Sequence, residues 1–427
     1  MPPRRPGTRS RPSRLGIAAL ALAILLAGSA CANPWTRKRL ASLDLSRKAA
    51  QVLLIGVEGA GEPSPETEAL LESMPVGGVV LFGFNLPASP EQAGLYTAAL
   101  QDAVARGEAS RSQDAIPLVV AIDHEGGSVF RFKGEGITRI PPPSEVGPRG
   151  GSYALLLGHA AGAELRDLGF NMALAPVVEL LTDEDERFLG SRSYGREAAG
   201  VDAAAGAYIR GIQAEGVAAV AKHFPGNADG DPHLVLPELD ISEEVYERDY
   251  LPRFASAIAN RVSAVMLSHV LFRAVDPDHP ASLSPAVASG ELRKRLGFEG
   301  VAITDDLGMK ALSSRSSPER SAVAALAAGA DLLMLTDMRA ATRVRDAIVA
   351  AVKEGGLSPR RLDEAAARVL ELKRRFGMES GLDPATRAKR LSAFEPLVRE
   401  YAARVRAFSL RPGRPEGRGD SGIPPAF

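Results

Sequence analysis

Eight apolar, β-branched runs bounded by polar residues or glycine recur along the chain: Gln51–Val57, Gly77–Phe82, Pro117–Ile122, Met172–Val178, Gly216–Ala221, Ala264–Leu267, Val301–Ile303 and Leu332–Leu335. They are hydrophobic throughout and not merely at every second position, which is the pattern of strands buried on both faces. Between most of them lie Ala- and Leu-rich stretches with helical spacing, such as Ala93–Ala105, Tyr153–Leu168, Ala199–Ala214 and Ser321–Ala328. Buried parallel strands that alternate with helices predict an α/β protein, and the count fits a single (β/α)8 barrel of the TIM type. No internal repeat is visible.

Polar residues stand where these runs end: Asn85, Asp123 with Glu125, Glu179, Lys222 with His223, Ser268 with His269, Asp305 with Asp306, and Thr336 with Asp337. In a barrel all those ends face one way, and that face carries the chemistry. Loops are wet, so polar residues follow most strands. A set dominated by Asp, Glu and His instead points to a site.

The densest stretch runs from Lys222 to His233. Pro225, two glycines and an Asn stop strand and helix alike after the apolar run Gly216–Ala221, and a helix is predicted to restart near Asp240, with Glu243 completing a capping box. Lys222 and His223 then lie at a strand end, with Asp231 and His233 on the loop beyond. Singly, each reads as a core histidine or a turn residue. Together they read as a catalytic loop.

The 427 residues, 45% of them hydrophobic, are ample for one large barrel. Arg4, Arg5, Arg9, Arg11 and Arg14, then the apolar run Leu15–Ala27 and Gly28-Ser29-Ala30-Cys31, read as an export signal over residues 1–30, too short for a stable membrane span. Cys31 is the only cysteine, so no internal disulfide forms. Its setting resembles a bacterial lipoprotein cleavage box, which implies Cys31 as the lipidation site and residues 31–42 as a linker, although Ala30-Cys31-Ala32 would also serve as an ordinary small-x-small cleavage site. Cleavage there removes five positive charges and no acid, taking the net charge from −1 to −6. An acidic chain without a basic patch is not a nucleic-acid binder. The barrel is assigned to residues 43–377, a helical extension to 378–410 with a charged helix from Pro384 to Leu410, and a disordered Pro-, Gly- and Arg-rich tail to 411–427.

Asp305 and Asp306 place two adjacent carboxylates at the end of a buried strand, where one faces the barrel mouth and the other the supporting shell. Only one of them can react. A desolvated carboxylate facing a sugar can attack the anomeric carbon and form a covalent glycosyl-enzyme, if a second group protonates the leaving oxygen and later activates water. His233 is a candidate for that group, with Asp231 placed across Pro232 to orient its ring.

Lys222-His223-Phe224-Pro225-Gly226 followed by Asp231-Pro232-His233, Thr304-Asp305-Asp306-Leu307-Gly308-Met309, Ile122-Asp123-His124-Glu125-Gly126-Gly127 and Ser191-Arg192-Ser193-Tyr194-Gly195 together resemble the β-N-acetylhexosaminidases of glycoside hydrolase family 3. The resemblance runs from Leu43 to Gly377 in the family's order. It implies that Asp305 is the nucleophile, His233 the acid/base and Asp231 its partner. It further implies that Asp123, Arg131, Arg192, Lys222 and His223 contact the sugar hydroxyls and the N-acetyl group. A histidine acid/base in place of a glutamate separates this branch from the family's β-glucosidases. The expectation is a monomer without cofactor or metal, anchored by lipid to a bacterial membrane in the periplasm or at the cell surface. Its carbohydrate substrate would be a muropeptide or chitooligosaccharide.

The chain departs from the family pattern in a shorter loop before Asp231 that lacks a second His-Gly, in Ser128 and Phe84 where Arg is common, and in ending soon after Tyr401–Leu410, which resembles the start of a linker to a second domain. Three rival readings follow. A neutral histidine acid/base would repel phosphate less than a glutamate, which suits a β-N-acetylglucosaminide phosphorylase. The shortened loop suits a cell-wall-sugar-binding lipoprotein with an impaired site, against which stands the joint retention of Asp305, Asp231 and His233. A zinc amidohydrolase has the same architecture, but the first strand carries no His-x-His pair.

Overall fold

The computed structural model describes residues 33–377 except 133, 135, 184, 185, 229 and 231–233, together with 396, 399–401 and 403–408. Its main sheet contains Leu53–Gly56 (β1), Gly78–Leu81 (β2), Val119–Ile122 (β3), Met172–Ala173 (β4), Ala218–Phe224 (β5), Ala264–Leu267 (β6), Val301–Thr304 (β7) and Leu333–Leu335 (β8). Neighbours pair in parallel in the order β7-β6-β5-β4-β3-β2-β1-β8, and a parallel bridge from Ile303 to Leu332 joins the two ends. All eight predicted strands are present, and they form the (β/α)8 barrel.

Strand residues sort by parity into two cores. Leu54, Val80, Val119, Ala121, Val220, Met266, Val301, Ile303 and Met334 fill the barrel interior. Their neighbours Leu53, Val79, Val120, Ala219, Ala221, Val265, Ala302 and Leu333 pack outward against the helices. The strands are therefore apolar on both faces, except for Lys222 and His223 near the end of β5 and Thr304 at the end of β7.

Several helices begin on a Ser-Pro step. Ser64, Ser89 and Ser317 accept hydrogen bonds from backbone N–H groups of the first turn, while the following proline supplies helical φ where no donor is needed. Gly151–Asp167 and Ala198–Ala214 pack closely through glycines; a Cβ on Gly211 would stand 2.5 Å from the Leu155 carbonyl oxygen. The helix predicted near Asp240 starts later. Glu238–Leu239 pairs in parallel with Leu271–Phe272, which keeps the chain extended, and Ser242 becomes the cap by accepting from Val245 N at 3.3 Å.

The helix Pro359–Arg375 closes the N-terminal end of the barrel, inserting Val369 and Leu372 into the interior cluster. The segment read as a linker carries the helix Pro34–Ser42, which Thr36 ties to Glu371 of that closing helix at 2.7 Å. Of the C-terminal extension, residues 399–401 and 403–408 are helical, with Val405 buried and Phe408 stacked on Tyr153. No described helix is long and apolar enough to cross a membrane. Residues 1–32, with Cys31, and the tail from Arg411 lie outside the described residues.

Candidate active site

The interior parity of β3 and β7 continues past the strand ends to Asp123 and Asp305, and that of β5 reaches Lys222. Lys222 Nζ lies 3.0 Å from Asp123 Oδ1 and 2.7 Å from Glu125 Oε1. Arg131 Nη2 reaches Asp123 Oδ2 at 2.6 Å. Arg192 grips Glu125 with Nε and Nη2, both at 2.8 Å, a two-pronged pairing that fixes its plane. Four of the five expected sugar contacts thus form one chain of ions, with Glu125 as the unassigned link between Lys222 and Arg192.

Burial and charge compete here, and charge wins. Burial alone would lift the Asp123 carboxyl, yet Lys222 and Arg131 hold it well below the usual carboxylate range. Burial likewise raises Glu125, but Lys222 and Arg192 bring it down to about 2. Burial opposes the Lys222 ammonium, and Glu125 and Asp123 more than compensate, so its pKa rises. The cluster stays ionised across physiological pH and presents charged donors and acceptors to hydroxyl groups.

His223 is the fifth predicted contact, and it belongs to a second cluster. In a regular strand it would point away from the face that Lys222 occupies. The register against β6 slips between Lys222 and Phe224, and both side chains reach carboxylates at the mouth. The strand itself runs to Phe224, so Lys222 and His223 lie within its last three residues and not on the loop. His223 Nδ1 lies 2.8 Å from Glu179 Oε1; a carboxylate accepts, so Nδ1 carries the proton. Glu179 also accepts from His223 N at 2.9 Å, Asn227 N at 2.6 Å and Asn227 Nδ2 at 3.0 Å. One buried carboxylate therefore orients the histidine and pins the start of the loop that follows β5. Phe188 lies between the clusters, under the Arg192 guanidinium at 5.4 Å and 6.4 Å from the His223 ring.

The adjacent carboxylates divide their work. Asp306 accepts from Thr336 Oγ1 at 2.6 Å and from the backbone N–H groups of Thr336 and Gly308 at 3.0 Å, stapling the end of β7 to that of β8. Asp305 Oδ1 accepts from Asp306 N at 2.8 Å, and Oδ2 has no partner among the described residues. His269 supports this turn from β6. Its Nε2 donates to the Asp306 carbonyl at 2.9 Å while Nδ1 accepts from Ser282 Oγ at 2.7 Å.

Glu125, Glu179 and His269 were visible as polar strand ends, but nothing local marked their partners. Asn227 had no signal beyond its turn chemistry. His124, between two site residues, points the other way. It is fully buried against Phe130 and Phe132, neither ring nitrogen has a partner, and burial pushes its pKa down to about 4. It is a neutral packing residue. Ser128 is exposed on the turn between His124–Gly126 and Val129–Phe130. Asp231 and His233 lie outside the described residues.

Comparison with known proteins agrees with this geometry. A β-hexosaminidase of Methylococcus capsulatus is 37% identical over 273 residues, 62% of this chain and 77% of that protein. One from Alkalilimnicola ehrlichii is 37% identical over 292 residues, covering 66% and 80%. The solved structure of a glycoside hydrolase family 3 β-N-acetylglucosaminidase from Paenibacillus sp. str. FPU-7 superimposes with a TM-score of 0.75 at 35% identity, covering 83% of this chain and 68% of that one. The profile described as glycosyl hydrolase family 3 N terminal domain matches residues 44–372, the barrel with its closing helix. The chain is thus a glycoside hydrolase of the β-hexosaminidase type, and it belongs to glycosyl hydrolase family 3.

Proposed function

We propose that the chain is a retaining exo-β-N-acetylglucosaminidase that releases terminal β-linked N-acetylhexosamine from peptidoglycan fragments or chitooligosaccharides. The observation that carries this reading is the division between Asp306, whose oxygens are bound by Thr336 and Gly308, and Asp305, which keeps an oxygen available at the mouth. In the first step Asp305 attacks the anomeric carbon and protonated His233 delivers its proton to the departing oxygen. In the second, neutral His233 takes a proton from water as that oxygen displaces Asp305. Asp231 orients the imidazole throughout. Asp123, Arg131, Arg192, Lys222 and His223 hold the sugar through ions already locked in place before substrate arrives. The enzyme acts outside the cytoplasm, attached to a membrane by acyl chains on Cys31.

His233→Ala tests the mechanism. It is expected to lose most activity on substrates with poor leaving groups, yet to form the glycosyl-enzyme rapidly from one with a good leaving group and to be rescued by azide. Equal losses on both substrates without rescue would move the acid elsewhere. Sugar phosphate formed in phosphate buffer would identify a phosphorylase instead. Persistence of a Cys31→Ala protein in the membrane pellet would refute the anchor.

A further inference from the structure

Four large hydrophobic side chains are more than half exposed among the described residues: Phe84, Leu95, Leu234 and Val235. Three of them, Phe84, Leu234 and Val235, lie on loops leaving β2 and β5 at the mouth. Phe84 is the one tied directly to the sugar site. Leu81 pairs in register with Ile122, so the next residues, Phe82 and Asp123, stand level on adjacent strands. Phe82 continues the interior parity of Gly78 and Val80 and packs on the barrel-interior cluster. It is the interior-facing residue at the end of β2, beside Asp123.

Phe84 stacks on Phe82 with ring centroids 5.9 Å apart and planes within 13°, yet it is 62% exposed. Its loop is held firmly. Fully buried Asn85 accepts from Phe82 N at 2.9 Å and donates through Nδ2 to the carbonyls of Val57 at 3.0 Å and Gly59 at 2.9 Å. Its own carbonyl accepts from Gly61 N at 2.9 Å. A phenylalanine left in water forgoes the stabilisation that burial would give it. A firmly seated ring in that position, continuous with a ligand site, is a recognition surface.

We infer that Phe84 is a specificity-determining platform for the leaving group, stacking on the apolar face of a second pyranose ring. The inference rests on the exo action proposed above: one terminal sugar fills the mouth, so the only ring joined to it is that of the leaving group. Phe82 backs the platform and carries it from beside Asp123 out to the rim.

The test compares wild type, Phe84→Ala and Phe84→Tyr on N,N′-diacetylchitobiose and on methyl β-N-acetylglucosaminide, whose leaving group has no ring. Phe84→Ala is expected to reduce the kcat/KM preference for the disaccharide by about threefold to tenfold, the size of an aromatic stacking contribution, and to do so through KM. Phe84→Tyr should restore the preference. An unchanged preference overturns the inference. So does a change confined to substrates extended at the non-reducing end, which would make Phe84 a platform for that side. If wild type cleaves neither substrate, the exo reading fails and the platform falls with it; if wild type cleaves both and the ratio does not move, only the platform fails.

Discussion

At the floor of the barrel Asp331 is fully buried, and both of its oxygens are occupied. Oδ1 accepts from Arg361 at 2.6 Å and Arg368 at 3.0 Å, while Oδ2 accepts from Arg293 and from Ala302 N at 3.0 Å. At the mouth, Asp123 and Glu125 share Lys222, and Asp305 keeps Oδ2 without a partner among the described residues. Both ends bury ions, but the floor joins the closing helix to the strands and leaves nothing for a ligand. The mouth orients charges that a polyhydroxylated ligand can still engage. Buried ion pairs are weak evidence for stability on their own. What distinguishes the two ends is whether the lone pairs are used up within the protein or held ready for something else.

The largest expected effect comes from the available carboxylate. Asp305→Asn should lower kcat/KM by at least about 10⁴-fold while the thermal unfolding midpoint stays in place, because the proposed nucleophile is removed and the core remains packed. Near-normal turnover of an activated aryl glycoside would show that the mouth carboxylates are not divided as described.

A matched pair of substitutions separates the two ends directly. Asp331→Asn removes the charge that Arg293, Arg361 and Arg368 share and should cost about 3–5 kcal/mol in urea denaturation, with kcat/KM of the folded protein unaltered. Asp123→Asn should reverse the pattern, losing roughly 10²- to 10³-fold in kcat/KM for about 1–2 kcal/mol of stability, since Glu125 still neutralises Lys222. Equal stability losses at the two sites would erase the contrast.

The smallest effect is a titration at the floor. Lys373 is fully buried, donates to Gln51 Oε1 at 2.8 Å, and is pushed by burial down to about 7. A lysine whose pKa falls on folding is protonated less readily in the native state than in the unfolded chain. Its presence therefore removes stability as the pH drops from about 10.5 through about 7. Lys373→Met should flatten that part of the stability profile and gain about 1 kcal/mol at neutral pH, the lost bond to Gln51 offsetting the rest. A profile that keeps its slope would assign the titration to another group.

Much of this was legible before the fold. Continuous apolar runs located every strand of the barrel, and polar residues at their ends identified the catalytic face, because strand burial and chain direction are local properties. The end of β5 was harder. The run Gly216–Ala221 stops at Lys222 because charge looks like loop, whereas the strand continues to Phe224 with Lys222 neutralised by carboxylates from β3. Asp240 resembled a helix cap, but pairing of Glu238–Leu239 with a segment more than thirty residues onward moved the cap to Ser242. Asn227 looked like a turn residue until Glu179 received both of its donors.

The sequence by itself determined that this chain builds a barrel and which end of it carries the carboxylates, since hydrophobic period and the order of strands and helices need no distant partner. Its neighbouring Asp305 and Asp306 announced that one would react and one would support. Only the tertiary structure decided which of the two is bound into the scaffold, because Thr336 arrives from β8 to occupy Asp306. It also decided the roles of Lys222 and His223, adjacent in the chain yet bound to different carboxylates, since a slip in strand register against β6 is set by pairing and not by composition.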